Sequence, residues 1–177
     1  MNLTHLPPFP SKGLLRIVFE TPKGSRSKLD YDPALKVFYL KKTLPEGMVF
    51  PFDFGFIPQT LGADGDPLDA LVLMPESLPP GSVVEGRLIG VIRARQKAKN
   101  EKPIRNDRFI VVSATATEFT RFKKPADLPP AMLEQLERFF ITYNEIEGRM
   151  FKLLGVESAP DALKLIEAGR RRSRRKS

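Results

Sequence analysis

The sequence predicts a mainly β domain, α+β in class, closed into a small barrel with helices packed on it at its C-terminal end. Three observations carry that expectation. Short β-rich runs follow one another at close spacing, separated by turns that contain Pro and Gly. The long apolar run 83–94 holds glycines at 86 and 90, which implies strong curvature. From Ala131 onward the apolar residues change to helical spacing. At 177 residues, with 41% hydrophobic and 28% charged, the chain has the length for one well-cored domain.

Taken in order, residues 14–20 alternate as a strand, with Leu15, Ile17 and Phe19 on one face and Arg16, Val18 and Glu20 on the other. Thr21-Pro22-Lys23-Gly24 turns the chain. Residues 27–31 and 36–40 read as a second and third strand, the latter followed by Lys41 and Lys42. The aromatic-rich stretch 49–57 leads to an acidic loop, and 71–74 resumes as strand. After the turn Pro79-Pro80-Gly81-Ser82 comes the curved run 83–94. Residues 96–107 are polar and charged, a loop or hairpin, and 108–114 form another strand. A helix starts at Pro129-Pro130 and ends at Gly148, with Met132, Leu136, Phe139, Phe140, Tyr143 and Ile146 along one face. A second helix spans about 159–168, with Ser158 as N-cap and Gly169 as C-cap.

The chemistry concentrates in Asp64-Gly65-Asp66-Pro67-Leu68-Asp69. Three carboxylates within six residues repel one another unless a cation lies between them. Asp supplies short, hard oxygen donors, which suit Mg²⁺, Mn²⁺ or Ca²⁺ better than Zn²⁺. An isolated Asp-Gly is more often a solvated turn. Here Phe50-Pro51-Phe52-Asp53-Phe54-Gly55-Phe56-Ile57-Pro58 precedes the cluster and Ala70-Leu71-Val72-Leu73-Met74 follows it, so a core holds the loop. An EF-hand is excluded, because counting from Asp64 puts Leu68 at position five and Pro75 at position twelve.

Composition narrows the reaction types. There is no Cys, and His5 is the only His, so thiolate, Ser-His-Asp and His-metal mechanisms are excluded. With no apolar run of membrane length and no signal-peptide core, the expected location is the cytoplasm, with no membrane partner. Arg170, Arg171, Arg172, Arg174, Arg175 and Lys176 supply six of the +8 formal charges, leaving +2 for the rest. The expected organisation is an N-terminal extension at 1–13, a single domain at 14–169 and a disordered basic tail at 170–177. Nucleic acid could be met only through that tail, whose removal is expected to leave folding and activity intact.

An ordered set of motifs resembles the soluble, family I inorganic pyrophosphatases from about Arg16 to Leu154. It comprises Phe50-Pro51-x-x-Phe54-Gly55-Phe56-Ile57, the Asp-Gly-Asp-Pro-x-Asp loop, Pro79-x-Gly81-Ser82, Gly90-Val91, and Phe139-Phe140-x-x-Tyr143. The resemblance implies an OB-like five-stranded closed barrel with flanking C-terminal helices. It also implies Mg²⁺-dependent hydrolysis of pyrophosphate to two phosphates, with Mn²⁺ as a substitute ion, and a homo-oligomer. Carried over by position, it makes Asp66 the general base and Asp64, Asp69 and Glu20 metal ligands. Lys28, Lys42, Arg108 and Tyr143 fall on phosphate-binding positions.

The sequence departs from the family pattern at several positions, most heavily after Val91-Ile92. Lys42 stands for an arginine, Phe50 and Phe54 for tyrosines, Asn144 for a lysine and Asp30 for a glutamate. A family Asp-Glu pair falls on Gln96-Lys97, and a later metal-bridging Asp falls on Asn106, or on Asp107 if the gap shifts; Asp107 is therefore a fourth candidate metal ligand. Fewer carboxylates imply fewer or weaker metals and reduced activity. The alternative reading is a weakly active or non-catalytic binder of a phosphate-containing ligand on the same fold. A nucleic-acid-associated barrel ranks last, since the tail lacks interleaved aromatics.

Overall fold

The computed structural model describes residues 2–176. Nine strands and two helices follow in order: β1 (Leu15–Thr21), β2 (Ser27–Asp32), β3 (Val37–Thr43), β4 (Asp53–Ile57), β5 (Leu68–Leu73), β6 (Val83–Ala98), β7 (Ile104–Arg105), β8 (Arg108–Ser113), α1 (Pro130–Ile146), β9 (Arg149–Ser158) and α2 (Ala159–Lys176). Five strands run β1-β4-β5-β8-β6, and β6 pairs back onto β1, so they form a ring. The long β6 makes this closure possible. Its first half pairs with β1 and β8, and its second half leaves the ring to pair with β7 and β9.

β5 and β8 read as unbroken apolar runs because both of their faces are buried. Leu71, Leu73, Ile110 and Val112 pack with Phe50, Phe54 and the α1 residues Leu136, Phe139 and Phe140. Ala70, Val72, Phe109 and Val111 pack with Leu15, Ile17, Phe19 and the α2 residues Ala162 and Ile166. Truncating any one of these large side chains to Ala would cost about 2–5 kcal/mol. The glycines of β6 are there for close approach. A Cβ at Gly86 would lie 2.5 Å from Val112 O, and one at Gly90 2.6 Å from Glu157 O.

The structure adds to, sharpens or corrects the sequence reading at three places. β9 has no counterpart in the sequence reading, because Met150, Leu154 and Val156 are exposed and blur the alternation. β6 runs on to Ala98 and pairs with β7, so of the two readings of residues 96–107 the hairpin is the one formed. The basic tail is not disordered: α2 continues through Gly169 to Lys176, and Ser177 lies outside the described residues. Arg170 explains part of this, pairing with Glu167 at 3.1 Å and stacking its guanidinium 5.1 Å from the Phe9 ring centre. Gly169 is a contact residue and not a cap, since a Cβ there would sit 2.7 Å from Leu68 Cδ1. Residues 2–13 also lie on the ring, with Leu3 and Leu6 against Val18, Tyr31 and Phe56. Met1 lies outside the described residues.

Candidate active site

A cleft of about 430 Å³ opens between the acidic loop, the β2–β3 hairpin, the β6–β7 hairpin and α1. It gathers Glu20, Lys28, Lys42, Asp64, Asp66, Asp69, Arg108 and Tyr143, eight of the nine residues singled out from the sequence. Asp107 is the exception.

Local irregularities aim these side chains. Between Phe19–Gly55 and Thr21–Phe54 the register of β1 against β4 skips Glu20, so this residue is the extra one of a bulge. A bulge turns a side chain away from its regular alternation. Glu20 Oε1 then accepts a hydrogen bond from Tyr31 N at 2.9 Å. On β3 the partners of Lys28 and Leu29 are Lys42 and Leu40, which makes Lys41 a second bulge residue. Two successive lysines consequently line one cleft. The acidic loop is closed by Gly62 N donating to Asp66 O at 2.7 Å. Gly65 has φ +96, where an L side chain would be strained, and no side chain blocks the carboxylates around it.

Charges in the cleft are unevenly matched. Asp69 lies level with Arg108 across the parallel β5–β8 pair, and the two form an ion pair at 2.7 Å. Lys28 pairs with Asp30 and Lys42 with Glu147. Glu20 has no such cation in bonding range among the described residues; burial pushes its carboxyl up to about 8, against the pull of the Tyr31 bond and Lys28. Asp64 opens to water at the loop tip, yet the concave walls thin that water, and with Asp69 beside it the carboxyl rises to about 6. Burial and Asp69 raise Asp66 as well. In Asp30 the attraction of Lys28 and Lys41 outweighs burial and lowers the carboxyl. Tyr143 is held in its neutral form by burial and by Glu147, with Lys42 Nζ 3.6 Å from its ring centre.

Among the described residues no three carboxylates converge on one point. The donor set nevertheless fits a hard divalent cation. Glu20, Asp64, Asp66 and Asp69 are oxygen donors gathered with too few cations to neutralise them, and a bound cation would relieve the three raised carboxyls.

Residues 17–174 match the profile of the inorganic pyrophosphatases. The chain belongs to that family. It is 32% identical to the inorganic pyrophosphatase of Synechocystis, over 94% of this chain and 96% of the relative. To that of Saccharolobus solfataricus it is 36% identical, over 86% and 88%. The crystal structure of the Thermus thermophilus inorganic pyrophosphatase superposes with a TM-score of 0.89 at 34% identity, covering 98% of this chain and 99% of that one. The Neisseria gonorrhoeae structure gives 0.86 at 29%, covering 98% of each. The ring of five strands with its two helices is the OB-like architecture that the resemblance implies.

Seen beside the family pattern, each departure acquires a place. Phe50 and Phe54 belong to an aromatic cluster with Phe139, Phe140 and Tyr143 behind the cleft. Asn144 is buried and its Nδ2 donates back to Phe140 O at 2.8 Å, so it does not reach the cleft. Gln96 and Asn106, the positions on which the resemblance places family acids, line the cleft. Asp107 faces the other way: its Oδ1 accepts from Ala94 N at 2.9 Å and from Arg105 at 2.5 Å, while its Oδ2 lies 3.4 Å from Arg93 Nε. Lys41, Glu147 and Arg149 line the cleft without having been singled out; lone surface charges on a strand or at a helix end carry no signal of their own.

Proposed function

We propose that the chain hydrolyses pyrophosphate to two phosphates with water as the nucleophile, Asp66 as general base, and Asp64, Asp69 and Glu20 as ligands of Mg²⁺, for which Mn²⁺ can substitute. Family membership supports the reaction. The assignment of roles rests on one observation, that seven carboxylates and five cations from distant parts of the chain share one cleft. Bound divalent cations would neutralise the substrate's charge and make water nucleophilic near neutral pH.

The chain's own groups do the rest. Lys28, Lys42 and Arg108 face the cleft as phosphate-oxygen donors, with Lys42 held over the Tyr143 ring. Tyr143, kept neutral, can donate its phenolic proton to a phosphate oxygen. Asp66 sits at the loop tip, within the solvent that supplies the attacking water, and takes its proton. No observation favours a non-catalytic phosphate binder. We further place the enzyme in the cytoplasm as a homo-oligomer acting on free pyrophosphate; no helix among the described residues is long and apolar enough to cross a membrane. The test is phosphate release from pyrophosphate with Mg²⁺. The wild-type chain is expected to turn over and Asp66→Asn to fail.

A further inference from the structure

We infer that the basic end of α2 is a positioning element for the acidic loop, acting through Arg172. Leu61, three residues before Asp64, is gripped twice by this helix. Its N–H donates to Gly169 O at 3.1 Å, and its carbonyl accepts from Arg172 Nε at 2.9 Å. The helix comes this close because residue 169 has no side chain, and it rests there on Leu68 at the loop's far end. The next residue, Gly62, then closes the loop onto Asp66 O. Both ends of the segment that carries Asp64 and Asp66 thus bear on one turn of α2.

The approach to the loop is held as well. Gln59 has φ +54, and its backbone N–H and side-chain amide donate to Thr4 O and His5 O at 2.9 and 3.0 Å. Thr60 Oγ1 accepts from Leu68 N at 3.0 Å. Every residue from Gln59 to Gly62 therefore makes a hydrogen bond beyond its neighbours, and α2 supplies those at Leu61. Carboxylates that must meet a cation together lose affinity when the backbone between them wanders.

This inference rests on the assignment of Asp64 and Asp66 to metal binding and catalysis, and it makes a prediction of opposite sign to simple electrostatics. If Arg172 were only a nearby cation, removing it would tighten divalent-ion binding. If it is a brace, removing it weakens binding. Mn²⁺ affinity of the full chain, followed by the electron-spin-resonance signal of the free ion, separates the two. Arg172→Ala is expected to weaken Mn²⁺ binding about three- to tenfold with little change in melting temperature. Arg172→Lys, which keeps charge and donor, should recover most of the loss. Arg171→Ala, which removes a charge from the same turn but not the Leu61 bond, should leave affinity unchanged or slightly tighter. Unchanged or tighter binding in Arg172→Ala, or no recovery in Arg172→Lys, overturns the proposal. The Mn²⁺ titration needs no turnover, so a wild-type chain that releases no phosphate would refute the proposed activity while the brace is still decided.

Discussion

The two sides of the cleft differ in how their charges are partnered. On the side made by β1 and the acidic loop, burial raises the carboxyls of Glu20, Asp64 and Asp66, and the nearby Asp69 carboxylate raises each of them further. On the wall made by the β6–β7 hairpin and the start of β8, charges neutralise one another. Facing the cleft, Arg108 binds Asp69 and Asn106; behind that wall Arg93 binds Asp107 and Glu157, and Arg105 binds Asp107. A cation is bound where anions lack partners, so the first wall is where metal can be held. The second has become a rigid, self-compensated frame. If the family's loop acids fall on Gln96, Lys97 and Asn106, as the resemblance implies, their loss alters one side of the site and leaves the other whole.

The strongest way to break this contrast is on the anionic wall. Asp66→Asn should lower turnover by about 10²–10⁴-fold, the usual worth of a general base. Its side chain is open to solvent in the cleft, so thermal unfolding should be unaffected. Activity within a few-fold of wild type would remove Asp66 from the mechanism.

The compensated wall should respond in stability and not in chemistry. Asp107 is 11% exposed and faces two arginines and a backbone N–H. Asp107→Ala would strand those donors and destabilise the fold by about 1–3 kcal/mol, read by denaturant unfolding. Mg²⁺ affinity of the folded variant should be unchanged. A loss of affinity with intact stability would return Asp107 to the metal-bridging place that an alternative alignment gives it.

How much of this was legible in the sequence depended on distance along the chain. The acidic loop was plain because its three carboxylates and both apolar flanks lie within one short stretch. Glu20, Lys28, Lys42 and Tyr143 were assigned only through family motifs, since each alone looks like a surface charge or a core aromatic. Nothing in the sequence marks the bulges at Glu20 and Lys41 that aim those residues, because a bulge is a property of two strands in register. Asn106 and Asp107 could not be told apart for the same reason, as the β6–β7 hairpin decides which of them faces the cleft. The C-terminal segment was misread because composition counts its charges and cannot see the Leu61 carbonyl that receives one of them.

The uneven charge also predicts a pH dependence. Glu20 titrates at about 8 in the folded chain against its ordinary 4.5, so between those values the metal-free folded state holds a proton that the unfolded chain has lost. Stability of the metal-free protein should accordingly fall as pH rises through that window. A divalent cation must displace the same proton, so its affinity should climb by up to about tenfold per pH unit until about pH 8 and then level off. Unfolding of the metal-free chain across that window checks the first sign and calorimetric Mg²⁺ titrations the second; a flat affinity profile would mean that Glu20 is not a ligand.

The smallest expected effect tests whether the compensated wall can be made to hold metal again. Gln96 lies on β6 opposite Ile104 and faces the cleft, and no ion pair claims that position. Gln96→Asp would add an anion with no cation already bound to it, and Mg²⁺ affinity should rise about three- to tenfold. Asn106→Asp differs in one respect. The Asn106 side-chain oxygen already accepts from Arg108, so a carboxylate there would be neutralised before a metal could use it. It should also draw Arg108 away from Asp69, the partner that this arginine holds at 2.7 Å. The double variant should then bind Mg²⁺ little better than Gln96→Asp alone. A double variant far tighter than both singles would mean that Arg108 yields position 106 to the metal, and that this wall is less self-compensated than its ion pairs imply.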